Sequence, residues 1–312
     1  MRRIALPALL AAAVMLVPLS RAAGPFADYA FSVQPGGGML LTGYEVGQSG
    51  DRNRVFELFT AAAFGAETQS TVGTVFRAEG PSARLEVHQN PHGTILLESF
   101  TANQVQWDLA ADVGAIARGR WAEVGDERTT GAIVLLGAGD LQKSGESVTA
   151  MLASGEMAVF RASVGGDGLG AFLADGTLAA DVFIGPEIDA VSYTGVAVEA
   201  RRDGGVATVT ATGIRPGQLL SVTLPRADLD PARMAVDGSG RLVQRSSLQE
   251  LQSSGSGYVV FTSADAVEVV VLDTAGAYHI GPLGPSLEAY VGVGLAAITF
   301  VAAAVFLRRR QR

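Results

Sequence analysis

The chain has 312 residues, 48% of them hydrophobic, with 39 Gly, 12 Pro, one Lys, no Cys and a formal net charge of −8. That composition is too apolar and too weakly charged for disorder, and the Gly follow no collagen period, so one large domain or two ordinary ones should fold. Without Cys there is no disulfide framework, thiolate chemistry or cysteine-ligated metal centre, and the acidic balance argues against a nucleic-acid partner, because phosphate contacts need clustered Lys and Arg.

Residues 1–22 have the layout of a secretory signal peptide. Met1-Arg2-Arg3 is followed by an apolar run from Ile4 to Leu19, and Ser20 and Ala22 supply small residues at −3 and −1 of a cut after Ala22. The apolar run is short and broken by Pro7 and Pro18, which disfavours an uncleaved span of about 30 Å.

From residue 23 to 162 the pattern predicts a β-rich domain. Strand-like runs include Val55–Thr60, Thr74–Ala78, Arg84–His88, Thr94–Glu98, Gln104–Leu109, Ala132–Leu136, Ser147–Leu152 and Met157–Ala162. In Gln104–Leu109 the alternation is complete, with Val105, Trp107 and Leu109 on one face and Gln104, Gln106 and Asp108 on the other, so one face is buried and one is wet. Turn signals such as Asn90-Pro91-His92-Gly93 and Gly137-Ala138-Gly139-Asp140 separate the runs. Strands at about ten-residue spacing fit a sandwich or a β-solenoid, and the lack of a clear repeat favours the sandwich.

Residues 163–190 are Gly-rich and read as a connector with room for one extra strand. Residues 191–282 then predict an immunoglobulin-like sandwich without the Cys…Trp…Cys core. Val196–Ala200 and Val206–Thr210 flank a hairpin signal at Arg201-Arg202-Asp203-Gly204-Gly205. Leu219–Leu224, Tyr258–Thr262 and Val267–Leu272 supply further strands, the last so rich in Val that it should be central. Ser246–Leu251 is the one convincing helical turn, opened by a capping box.

Residues 283–307 form a juxtamembrane and transmembrane segment. Ala289–Leu307 is 19 residues without a charge, covering roughly 28 Å as a helix, the thickness of the hydrocarbon core. Arg308-Arg309-Arg310-Gln311-Arg312 follows at once, and such a cluster stays cytoplasmic, which gives a single-pass topology with the N-terminal bulk outside. Tyr290 is placed as an interface anchor, and Gly292 and Ala296 form a small-xxx-small face on which two helices could meet. The tail 308–312 is too short for a signalling domain, so a transmitted signal would need a membrane partner. With both ends removed, 16 basic residues (23 less seven) and 30 acidic residues (31 less Glu288) remain, a net charge of about −14. Such a surface is soluble and is repelled by anionic headgroups.

The order of signal peptide, β-rich region, a module carrying Val236-Asp237-Gly238, Ser246-Ser247-Leu248 and Val267-Glu268-Val269-Val270-Val271, then a span and an Arg cluster, resembles single-pass surface proteins of archaea. The resemblance covers roughly residues 195–312 and implies β-sandwich ectodomains on a C-terminal anchor. It carries no functional residues over. The chain's only Asn, at 53, 90 and 103, are not glycosylation acceptors, which departs from a glycosylated surface layer.

Motifs for chemistry are sparse. No Gly-x-Ser-x-Gly and no phosphate-binding Gly-x-x-x-x-Gly-Lys-Ser/Thr occurs, and Schiff-base chemistry would have to rest on Lys143 alone, which sits in a polar turn. His88 and His92 have metal-ligand spacing, but Pro91 and Gly93 oppose the helix that would align them. A strand end and turn would instead group Glu86, His88 and His92, and the plainer reading is a polar hairpin end. His279 reads as an interfacial residue. Asp126-Glu127, Asp228-Leu229-Asp230 and Asp237-Gly238-Ser239-Gly240 offer loop oxygens for calcium without the twelve-residue calcium-loop pattern. No residue is therefore assigned as catalytic, cofactor-binding or metal-ligating, and no cofactor is expected.

The sequence thus predicts a mainly β, membrane-anchored extracytoplasmic protein with a binding, scaffolding or cell-envelope role and no evident catalytic site. Its expected partners are membrane lipid through the C-terminal helix, and a protein met through the ectodomain or the Gly292/Ala296 face. The alternatives are a cell-surface hydrolase using carboxylates or a bound cation, and a subunit of a membrane assembly.

Overall fold

The structure is a computed structural model that describes residues 20–23, 26–48, 51–65, 68–228, 230–238 and 240–282. The expected span and tail, 283–312, and residues 1–19 of the expected signal peptide lie outside the described residues. Among the described residues no helix is long and apolar enough to cross a membrane. The protein is mainly β, and the chain divides into two compact units with the boundary between Ala162 and Ser163.

The first unit begins with β1 (Ser20–Ala23), β2 (Ala27–Val33), β3 (Met39–Gln48), β4 (Asp51–Ala61), β5 (Thr68–Val72), β6 (Val75–Glu79), β7 (Ala83–His88) and β8 (Ile95–Ser99). It continues with β9 (Asn103–Leu109), β10 (Gly114–Arg118), β11 (Trp121–Gly125), β12 (Thr130–Leu136), β13 (Gln142–Ser144), β14 (Ser147–Leu152) and β15 (Met157–Ala162). These make one sheet in the order β1-β2-β3-β4-β9-β14-β13 and a second in the order β10-β11-β12-β15-β8-β7-β6-β5. Neighbouring strands run antiparallel throughout, as in β4–β9 and β12–β15. A solenoid would stack parallel coils, so this unit is a pair of facing sheets.

Period-2 alternation decides which side chains enter the space between those sheets. In β9, Val105, Trp107 and Leu109 are buried, while Gln104, Gln106 and Asp108 face outward. Trp107 stacks on Phe59 of β4, ring centroids 4.9 Å apart and planes 11° apart. Phe56 meets Phe160 of the opposite sheet edge-on at 4.7 Å, and Tyr29 meets Phe76 at 5.8 Å. Such aromatic pairs add about 0.5–1.5 kcal/mol each beyond the area they bury. The expected cut after Ala22 falls inside β1, which pairs along β2 from Ser20–Phe31 to Ala23–Asp28.

The second unit holds α1 (Gly170–Ala174), β16 (Leu178–Ile184), β17 (Ile188–Ser192), β18 (Ala197–Asp203), β19 (Val206–Thr212), β20 (Leu219–Pro225) and β21 (Met234–Asp237). After these come α2 (Leu248–Ser254), β22 (Gly257–Thr262), β23 (Ala266–Leu272) and β24 (Ala277–Pro282). Its sheets run β17-β16-β20-β23-β22 and β18-β19-β24-β21, and β16–β20 is a parallel pair. Val182, Val222, Val269 and Val271 of the first sheet and Val209, Tyr278 and Ile280 of the second share one core.

Two sequence readings change here. The stretch 163–190, read as a connector, contributes α1, β16 and the start of β17 to this unit, and all seven residues of β16 are buried. Burial on both faces removes the alternation that marks a half-wet strand, and the flanking Gly dominate the pattern. The hairpin signal at 201–205 also contracts. Arg201–Asp203 stay in β18, and Gly204-Gly205 alone makes the turn between Asp203 and Val206. Gly204 has φ +58°, the left-handed conformation a two-residue hairpin turn demands.

Candidate functional site

The Asn90-Pro91-His92-Gly93 segment, expected as a wet hairpin end, is buried. Asn90 and His92 are each 1% exposed and Thr94 is 0% exposed. Burying polar groups is costly unless they are partnered, and apart from the Thr94 hydroxyl this loop is stitched to several neighbours. Asn90 Oδ1 accepts from the His92 N–H at 3.1 Å, Gln89 Oε1 accepts from the Ala27 N–H at 2.9 Å, and the Tyr44 hydroxyl donates to the Gly93 carbonyl. The His92 carbonyl accepts from the Ala162 N–H at 2.8 Å.

The His92 ring is fixed by what faces it. Nδ1 lies 2.9 Å from the Ala162 carbonyl, which can only accept, so Nδ1 carries the proton. Nε2 lies 3.4 Å from Nη2 of the buried Arg161, which can only donate. The ring is thereby held in one orientation. Beside it on β7, His88 Nε2 stands 3.6 Å from Glu86 Oε2. Glu86 is held below the usual carboxylate range chiefly by the neighbouring His88 ring, against partial burial, with Arg77 and Arg84 adding to the effect. Glu86, His88 and His92 do not bring three ligand atoms within 4.8 Å of one another, so the grouping expected from the spacing does not form.

The carboxylates of the acidic loops bond within the chain. Asp126 Oδ1 accepts the Arg128 and Thr129 N–H groups, and its Oδ2 accepts from Asn53 at 2.5 Å. Asp230 caps a short helical turn through the Ala232 N–H at 3.0 Å. Asp237 lies on β21 opposite His279. His279 is exposed on β24, with Nδ1 3.1 Å from the Thr208 hydroxyl, and Lys143 is exposed on β13. Gly292 and Ala296 lie outside the described residues.

Sequence reasoning missed a row of polar groups on the face of the β16-β20-β23 sheet that points away from its core. Asp181 stands opposite Ser221, and Thr223 opposite Glu268. The Tyr193 hydroxyl donates to Asp181 at 2.6 Å and the Ser221 hydroxyl to Glu268 at 2.6 Å. Asp167 accepts the Val164 and Leu169 N–H groups, and one of its oxygens lies within 4.8 Å of one from Glu268. Asp167, Asp181 and Glu268 are all 2% exposed or less. The signal lay in the sequence as single polar residues inside Val-rich runs.

On the first unit a groove of about 270 Å³ opens on the outward side of β9, β13 and β14. Gln104, Asp140, Gln142, Thr149 and Met151 line it, giving amides, a hydroxyl, one carboxylate and an exposed thioether. The 137–139 loop beside it is clasped by Glu156, whose two oxygens accept the Ala138 and Ala153 N–H groups at 2.7 and 2.8 Å. These backbone donors hold the Glu156 carboxyl below its usual range. The groove can offer neutral hydrogen bonds to a polar ligand.

These features define a mainly β protein of two sheet-on-sheet units. No family model matches the chain, and no curated protein compared with it matches either.

Proposed function

We propose that the chain is a membrane-anchored extracytoplasmic β-protein that binds or scaffolds at the cell envelope, with its described units outside the membrane. The observation that carries this reading is the uncharged run Ala289–Leu307 followed directly by Arg308-Arg309-Arg310. Water solvates such a run poorly, its length matches the hydrocarbon core, and the arginines hold the following end on the cytoplasmic side.

Two further features support it. The leader-like residues 1–22 would carry the bulk across the membrane, and an immunoglobulin-like second unit suits a display role. In this reading the role is binding rather than catalysis, and the likeness of residues 195–312 to anchored archaeal surface proteins fits it. The wet face of β9 and β14, with its groove, is where a polar ligand would lodge.

Protease protection on intact cells tests the topology. A C-terminal tag should survive external protease while the part before residue 283 is digested. Digestion of the tag from outside, or recovery of the full chain from the soluble fraction, would remove the proposal.

A further inference from the structure

We propose that the rim of the second unit at which β24 ends rests on the headgroup layer of a zwitterionic lipid surface, with Val206 and Ile188 set into it. The inference rests on the anchored reading above and adds to it the side that this unit turns towards lipid.

Strand direction locates the chain's exit. β24 runs antiparallel to β19, from Ala277–Thr210 to Ile280–Ala207, and to β21, from His279–Asp237 to Pro282–Met234. β18 closes on β19 through the pair Asp203–Val206. The Gly204-Gly205 turn and the starts of β19 and β21 therefore lie at the end of the sheet where Pro282 finishes β24. The contacts agree, since a Cβ on Gly281 would stand 3.0 Å from Val206 Cγ2 and 3.5 Å from the Gly205 carbonyl oxygen.

The other sheet is oriented by its connection. Only residues 273–276 join β23 to β24, so β23 ends at the far rim, where β24 starts. β23 is antiparallel to β20, with Ala266 opposite Pro225, and β20 is parallel to β16. The exit rim thus also holds the ends of β16 and β20 and the start of β17, where Ile188 pairs with Ile184.

Val206 is 39% exposed and Ile188 44% exposed, both on this rim. Val243, at 57%, belongs to the far rim, because its carbonyl accepts from the Tyr258 N–H at the start of β22, and Gly257 there pairs with Leu272 at the end of β23. Singly exposed apolar side chains are ordinary, so their place decides what they meet. The uncharged run begins at Ala289, seven residues on from Pro282, and a chain of that length reaches at most about 25 Å. The tether holds the exit rim beside the interface, so contact with lipid carries little of the cost of free association. The far rim stands roughly 20 Å further out, the length of a seven-residue strand.

Charge selects the kind of surface. The exit rim mixes Arg201, Arg202 and Arg226 with Glu187, Asp203, Asp230 and Asp265, so neither sign dominates it. Both signs suit headgroups that carry a phosphate and an ammonium group, whereas the −14 of the part between the two ends opposes an anionic surface.

The chain has no Cys, so Val206→Cys, Ile188→Cys and Val243→Cys each place one environment-sensitive fluorophore on the purified full chain. The probe surface is a phosphatidylcholine vesicle containing a lipid with a nitroxide on its headgroup. Emission from positions 206 and 188 should be lost to the nitroxide, and emission from 243 retained. Adding Val206→Asp to Ile188→Cys should restore emission at 188 while the chain still floats with the vesicles, since Val206 lies at the surface and its loss leaves the core intact. Equal quenching at 206 and 243 in a chain that floats would overturn the resting rim and leave the anchor standing. A chain that does not float with the vesicles would remove both.

Discussion

Gly93 shows how narrowly one residue can be specified. Its φ is +48°, and a Cβ there would stand 2.4 Å from Val46 Cγ2 and 2.6 Å from the Tyr44 hydroxyl. Gly93→Ala therefore combines backbone strain with overpacking against two core residues of β3, and should cost about 2–4 kcal/mol. A urea midpoint that falls with an unchanged slope would report it, and a loss under about 1 kcal/mol would show that the loop repacks easily. The ionisable residues set both ends of the pH range. Glu86, Asp126 and Glu156 are held below the usual carboxylate range, Glu86 by His88, Asp126 despite its burial by the Thr129 N–H, Asn53 and Arg128, and Glu156 by two backbone donors. A depressed carboxyl stabilises the fold above its unfolded value of about 4, and that contribution fades as pH falls through the lower folded value. Burial pushes the Tyr29 and Tyr44 hydroxyls well up and that of Tyr278 to about 12. For these the sign is opposite, with stability intact below about pH 10 and lost as pH rises towards the folded values. Melting temperature should therefore hold between about pH 5 and 9 and fall outside it. Absorbance at the tyrosinate band should show the buried hydroxyls ionising only as the protein unfolds. Smooth ionisation of all of them near pH 10, with the fold intact, would contradict that.

Elements were legible where local pattern and final environment agree. β14 occupies the residues that alternation marks, Ser147–Leu152, because it has one face in the core, and β15 occupies the expected Met157–Ala162 although all of it but Met157 is buried. The Val-rich run ending at Leu272 became β23, flanked on both sides by β20 and β22, as its composition requires. β16 was hidden because burial on both faces erases the period, and because two Ala weaken its strand signal. The clasped loop after β7 was hidden for another reason. Its partners Tyr44, Ala27 and Ala162 lie 49, 62 and 70 residues away, so nothing local marks Gln89, Asn90 or His92 as buried. The acidic loops were assigned no metal, because an Asp that caps a turn and an Asp that binds calcium look alike until their oxygens are counted. α2 was read from its cap, and the cap is present. Ser247 Oγ accepts the Glu250 N–H at 3.1 Å, and Glu250 Oε2 accepts from the N–H and hydroxyl of Ser246. Gly255 closes the helix with φ +71°. Ser247→Ala leaves that first-turn N–H without its side-chain acceptor and should lower stability by about 1 kcal/mol, while Ser247→Asp should keep it. Denaturant midpoints of the two variants separate a capping role from simple loss of a surface hydroxyl, since only a cap is rescued by Asp.

At the scale of the whole molecule, two halves of the sequence pull in opposite directions. The part between the two ends carries about −14 charges and is repelled by anionic headgroups, so electrostatics cannot hold it at a membrane. In the anchored reading proposed above, attachment comes from apolar transfer of the 289–307 run. That has a quantitative consequence at its midpoint, Ile298, where an apolar side chain contributes a few tenths of a kcal/mol to insertion and an arginine opposes it by about 2.5–3.5 kcal/mol. Ile298→Arg should therefore reduce the fraction that stays with membranes after alkaline extraction, whereas Ile298→Leu should behave as the native chain. High salt should release neither form, because screening acts on charge pairs and not on apolar transfer. Release of the native chain by salt alone would mean that a basic partner, and not lipid, holds it.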